Sequence, residues 1–135
     1  MRNNTEVSSL LTVASDSIKK HYVENRHHVA CALSANNRQY IAYHLDTEGG
    51  LDICAESVAL SNALADGNSD AQALVTVAWT GDKDIEPWVI TPCGNCRQIL
   101  AEYAPNLVIA LDDSLKRFSL ASELLPEPYV KRKTS

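Results

Sequence analysis

Two short segments carry residues whose types and spacing could do chemistry: Cys54-Ala55-Glu56 and, well downstream, Pro92-Cys93-Gly94-Asn95-Cys96-Arg97-Gln98. Each opens a stretch with helical patterning. Cysteine ligates zinc as the thiolate, and the unpaired N–H groups and macrodipole of a helix N-terminus favour that negative form. Two such termini brought together would hold three thiolates around one Zn²⁺ per chain. Three protein ligands leave the fourth tetrahedral position to water, as catalytic zinc requires and structural zinc does not. Zinc lowers the pKa of that water to roughly 7, so a nucleophile is available at neutral pH. Glu56 lies two residues beyond Cys54 on the same turn, in position to take a proton and give it back. A C-x-x-C pair alone is weak evidence, since redox pairs and structural zinc sites share it. Its company with Cys-Ala-Glu sharpens it. A non-catalytic zinc-stabilised module would need a fourth ligand, and the spare thiol, Cys31, sits in an apolar strand pattern where it reads as a small buried hydrophobe.

The two segments must be positioned by the elements around them. From Thr5 to about Tyr22, apolar Val7, Leu10, Leu11, Ala14 and Ile18 recur at spacings of three and four, the stripe of a helix laid on a sheet. His28 to Ser34 and Tyr40 to Leu45 read as a hairpin, with Ala35-Asn36-Asn37-Arg38 as the turn. The first chemical segment starts a helix of about 54–66, capped by Gly67. Ala73 to Trp79 reads as a strand buried on both faces and Trp88 to Thr91 as another. The second segment opens a helix from Cys93 to Ala104, stopped by Pro105. Leu107 to Leu111 and Arg117 to Leu120 read as strands, followed by a helical turn at Ala121 to Leu125 and a tail over 126–135. This is an α/β layer structure read as one domain over 1–135.

Length and composition agree. A chain of 135 residues that is 45% hydrophobic can bury one sizeable core but does not divide comfortably into two. A net charge of -5 argues against a general affinity for nucleic acid, and Lys131-Arg132-Lys133 is too short to reverse that. No apolar run is long enough to span a bilayer, and no secretory segment is present, so the expectation is a cytoplasmic protein with reduced cysteines and a small soluble partner.

Cys-Ala-Glu followed by Pro-Cys-Gly-x-Cys-Arg-Gln resembles the cytidine deaminase superfamily. More particularly, Tyr22-Val-Glu-Asn-Arg-His-His-Val29, His44-Leu45-Asp46, Tyr103-Ala104-Pro105 and Glu123-Leu-Leu-Pro-x-x-Tyr129 are similar to the blasticidin-S deaminase branch. The resemblance runs from about residue 10 to about residue 130. It implies a three-layer fold, a mixed five-stranded sheet flanked by helices, assembled as a homotetramer with active sites near subunit contacts. It implies Zn²⁺ on Cys54, Cys93 and Cys96, with Glu56 as the proton shuttle. The reaction implied is hydrolytic removal of the 4-amino group of cytidine, deoxycytidine or blasticidin S. A related zinc deaminase of another amino-heterocycle is the rival reading. Backbone groups at Ala55 and Thr91 are implied to hold the pyrimidine.

This chain departs from ordinary cytidine deaminases in two places. Where they carry Asn-x-Glu to hold the ribose, it has Tyr43, His44, Leu45 and Asp46, and His44 and Asp46 share a strand face as candidate substrate contacts. Where they carry Arg after the catalytic Glu, it has Ser57, which leaves Arg97 and the helix termini to offset thiolate charge. Tyr129 is a further candidate substrate contact. His27 and His28 fall on opposite strand faces and read as packed or surface histidines. Trp79 and Trp88 read as core or interface.

Overall fold

The hairpin that faces the chemical segments is set by two residues. Asn36 and Asn37 stand at φ 56° and 64°, the left-handed pair of a type I′ turn. They join β1 (Val29–Ala35) to β2 (Arg38–Tyr43), paired antiparallel from Ala35↔Arg38 to Ala30↔Tyr43. Around this hairpin the chain runs α1 (Asn4–His21), then β1 and β2, α2 (Ala55–Ala65), β3 (Ala71–Ala78), β4 (Trp88–Ile90), α3 (Gly94–Tyr103), β5 (Val108–Ala110) and β6 (Phe118–Leu120). A 3₁₀ turn, Ala121–Leu124, follows. The computed structural model describes residues 4–131; the outer end of the expected tail, with Arg132 and Lys133, lies outside them.

The sheet is mixed, in the order β2-β1-β3-β5-β6, with β3 and β5 parallel and the other pairs antiparallel. β4 pairs with Thr76 to Ala78 of β3, while β5 pairs with Ala73 and Leu74. β1 occupies the other edge of β3 along its whole length, so β4 and β5 lie end to end on the remaining one. Six strands therefore fill five lanes, which is how the expected five-stranded sheet and the observed six segments agree.

Alternation along β1 and β3 sends side chains to two separate cores. Ala30, Ala32, Ala73, Val75 and Val77 face α1, which meets them with Val7, Leu10, Ala14 and Ile18. Cys31, Leu33 and Leu74 face the other way, against Ala55, Ala59 and Ala63 of α2 and Leu100 of α3. The three alanines at a spacing of four let α2 lie close on the sheet. Gly67, at φ 81°, ends α2, and the Asn68 N–H returns to the Ala63 carbonyl at 2.9 Å. No helix among the described residues is long and apolar enough to cross a membrane.

The loop after β3 fixes the mouth of the hairpin, because the Trp79 N–H donates to the His28 carbonyl at 2.9 Å. Gly81 in that loop stands at φ 86°, and a Cβ there would meet the Tyr22 ring at 2.7 Å. Tyr22 in turn packs edge-on against Trp79, with centroids 5.5 Å apart. Gly81→Ala is expected to lower unfolding free energy by about 1–3 kcal/mol through backbone strain and the clash. Denaturant unfolding of both proteins checks it, and unchanged stability would mean that the loop relaxes freely.

Candidate active site

Cys54 and Cys93 are the N-cap residues of α2 and α3, both with extended backbones. A residue at that position commonly spends its side chain capping its own helix. Neither cysteine does so, and each sulfur is turned instead toward the other helix terminus. Cys54 Sγ lies 3.4 Å from Cys93 Sγ, and with Cys96 the three sulfurs lie within 4.8 Å of one another. Cys31, fully buried in β1, is not part of this group.

The electrostatics of the thiols follow from where each one sits. Burial and the neighbouring Cys93 and Cys96 thiols push the Cys54 pKa well up. At Cys93, burial works upward but is outweighed by backbone N–H groups of Cys96 and Asn95 and by the other two thiols, so its pKa falls below the ordinary value. Those N–H groups belong to the first turn of α3, the effect expected of a helix N-terminus. Burial raises Cys96, and the Ser57 hydroxyl, 3.2 Å from its sulfur, pulls the other way. Ser57 thus makes the hydrogen bond to sulfur that its sequence position allows. Three crowded thiols suit a divalent soft-to-borderline cation, which would replace mutual repulsion by attraction; the donor set fits zinc.

Glu56 projects from the first turn of α2 into the same place. It is only 4% exposed, and Cys96 Sγ is 4.0 Å from its Oε1. Burial raises its pKa, against smaller opposing influences from the Thr76 hydroxyl and His44. A cleft of about 220 Å³ opens beside it, lined by Cys54, Ala55, Glu56, Cys93, Thr91 and His44, among others. That is smaller than the roughly 300–1,000 Å³ typical of pockets for drug-sized ligands. It has room for one heterocycle at depth, with any larger group at the mouth.

Arg97 braces the turn before α3. Its guanidinium donates to the carbonyls of Pro92 at 2.8 Å and Leu124 at 3.3 Å, and to the Thr91 hydroxyl at 3.3 Å. His44 and Asp46 lie just past β2, with His44 Nε2 2.9 Å from Asp46 Oδ1. Asp46 Oδ2 also lies 3.5 Å from His28 Nδ1, and the His28 and His44 rings meet edge-on with centroids 4.8 Å apart. His28 lines the cleft. Sequence reasoning passed over it: alternation separated it from His27 but did not say which of the two faced the cysteines. His27 takes the α1 side, with its ring 5.8 Å from that of Tyr43. Tyr129 is not brought to the cleft of its own chain. It is 76% exposed, in a groove formed with Gln98 and Glu102 of α3.

The profile of the family described as the cytidine and deoxycytidylate deaminase zinc-binding region matches residues 4–111. The chain belongs to this family. It is 30% identical over 128 residues to the blasticidin-S deaminase of Bacillus cereus, covering 90% of this chain and 91% of that one. The fold is similar to the crystal structure of cytidine deaminase from Mycobacterium leprae, with TM-score 0.71 and 26% identity over 90% of this chain and 98% of that one. Cytidine deaminase from Burkholderia pseudomallei gives TM-score 0.71 and 28% identity over the same shares. As a member of this family the chain is a hydrolytic deaminase.

Proposed function

We propose that the chain removes the 4-amino group of a free cytosine nucleoside or analogue, using one zinc ion per chain held by Cys54, Cys93 and Cys96. The observation that carries this is the convergence of two helix N-termini, which gathers three sulfurs within 4.8 Å beside the buried Glu56. Zinc, when bound there, supplies an activated water for attack on C4 of the ring. Glu56 takes a proton from the nucleophile and passes it to the ring nitrogen, then takes the proton of the hydroxyl added at C4 and gives it to the departing amine, which leaves as ammonia as the C4 carbonyl of the uracil-type product forms. Its raised pKa suits a group that must act as base and then as acid. Backbone groups at Ala55 and Thr91 hold the pyrimidine, and Arg97 keeps Thr91 and the Pro92-Cys93 turn in place. His44 and Asp46 meet the sugar side.

The assembly we propose is a homotetramer in the cytoplasm. Tyr129, which lies outside its own cleft, enters substrate binding only through such an assembly. Ultraviolet monitoring of zinc-loaded protein against cytidine, deoxycytidine, blasticidin S and several amino-heterocycles tests the substrate class. Turnover of at least one cytosine compound is expected, with blasticidin S competing well because the Asn-x-Glu pair is absent. Turnover confined to other amino-heterocycles would reassign the ring.

A further inference from the structure

The ends of the hairpin gather a second group of donor atoms beside the thiols. His28 stands just before β1, and His44 and Asp46 stand two residues apart just past β2, where alternation puts both side chains on one face. The backbone holds all three. The His44 N–H donates to the Val29 carbonyl at 3.1 Å, the Asp46 N–H donates to the Arg26 carbonyl at 3.2 Å, and the His28 carbonyl accepts from the Trp79 N–H. His28 Nδ1, His44 Nε2 and the Asp46 carboxylate lie within 4.8 Å of one another. A reciprocal pair of backbone hydrogen bonds between Leu45 and Ile53 carries Asp52 alongside, its Oδ2 3.7 Å from His44 Nε2. Neither a lysine nor an arginine is among the described residues lining the cleft. The nearby Arg26 donates to the Asp46 backbone carbonyl and pairs with Glu48.

Two imidazoles and a carboxylate are a donor set that divalent zinc, cobalt and nickel share. Bonds of about 2.1 Å place the donors of a tetrahedral site roughly 3.4 Å apart. Asp46 Oδ2 stands 3.5 Å from His28 Nδ1, and Asp52 Oδ2 stands 3.7 Å from His44 Nε2. Both separations are long for a hydrogen bond and suit two ligands of one ion. The 2.9 Å contact of Asp46 Oδ1 with His44 Nε2 would open by about half an ångström. We infer that His28, His44 and Asp46 form a second divalent-cation site at the mouth of the cleft, and that filling it bars the substrate. His28 and His44 line the cleft together with Cys54, Glu56 and Thr91, so an ion held on them occupies the wall that the sugar side would meet. With imidazoles and a carboxylate in place of three thiolates, this site is the weaker of the two and fills only when free ion exceeds one per chain. The closure, though not the site, rests on the deaminase reading, which puts the pyrimidine deeper in the same cleft.

Cobalt(II) added to the zinc-loaded protein tests both parts. One further cobalt per chain should bind, with visible d–d absorption and without the near-ultraviolet thiolate-to-cobalt charge transfer that would mark exchange at the cysteines. His28→Gln should weaken this uptake at least about tenfold while keeping its zinc and its melting temperature. His27→Gln, altered on the α1 side where that ring packs near Tyr43, should retain it. Cobalt at about ten times its dissociation constant should raise KM for the cytosine compound about tenfold with kcat unchanged, and the compound should in turn weaken cobalt uptake. In His28→Gln the same cobalt should leave KM at that variant's own cobalt-free value. No further uptake, uptake with thiolate charge transfer, or uptake undiminished in His28→Gln would overturn the site. An unchanged KM, or a fall in kcat alone, would overturn the closure. Failure of the parent protein to deaminate any cytosine compound would strike the deaminase reading and the closure with it, whereas the site stands or falls on cobalt uptake, which is read without turnover.

Discussion

Glu56→Gln is expected to keep the zinc and the fold while losing roughly 100-fold or more in turnover, the usual contribution of a positioned general acid and base. The residue is buried at the start of α2, 4% exposed, with its carboxylate 4.0 Å from the Cys96 sulfur. Glutamine has the same shape and fills the same space, so packing against Ala55 and the sheet should be preserved. What it lacks is a group that can accept a proton and give it back. The loss should therefore appear in kcat at saturating substrate, with metal content and thermal stability close to the parent's. Single-turnover kinetics and elemental analysis on the same preparation check this. Retained turnover with retained zinc would show that the proton passes through another group, and His44, on the same cleft wall, would be the next to replace.

Much of the fold was legible because its signals are local. The apolar stripe from Val7 to Ile18 marks α1, expected from Thr5 to about Tyr22 and found at Asn4–His21, and Asn36-Asn37 marks the hairpin by residue types that tolerate a left-handed backbone. Strand neighbours were less legible. β4, β5 and β6 are three residues each, and nothing in their composition says that β4 and β5 share one edge of β3. That arrangement follows from chain connectivity and from the crossover of α3, which are long-range facts.

The site divides in the same way. Cysteines and glutamate within two short segments at helix starts could be read directly, since the chemistry depends on spacing along one turn. The contact of Ser57 with Cys96 could be anticipated from the missing arginine. His28 could not be placed, because a period of two assigns opposite faces without saying which face the cysteines occupy. Tyr129 came from resemblance alone, and its groove lies along α3, away from the cleft. The sugar-side departures carry the most specific information, because His28 and His44 both line the cleft and both lie against Asp46.

Cys96→Ser is expected to abolish stoichiometric zinc and, with it, activity, while Cys31→Ala keeps both. The two cysteines are alike in burial, each fully enclosed, with Cys31 on β1 in the core under α2 and Cys96 in the first turn of α3. They differ in company: the Cys96 sulfur stands within 4.8 Å of those of Cys54 and Cys93, and Cys31 does not join them. Burial pushes the Cys31 thiol well up, and Glu56 adds to that, so it stays a neutral core side chain. Cys96 has the Ser57 hydroxyl to stabilise its sulfur and two thiols to share a cation with. Losing one of three thiolates removes a third of the donor set of a site that has no spare ligand, which costs far more than a neutral packing change. The parent should also melt at a higher temperature with zinc than after chelation, because an ion that binds only the folded chain stabilises it. Cys96→Ser should lose that difference, whereas Cys31→Ala should retain it on a slightly lower baseline. Elemental analysis, thermal melts with and without chelator, and the deaminase assay report on the same three proteins. Full zinc and full activity in Cys96→Ser would dismantle the three-thiolate centre, and loss of zinc in Cys31→Ala would make the centre a four-cysteine structural one.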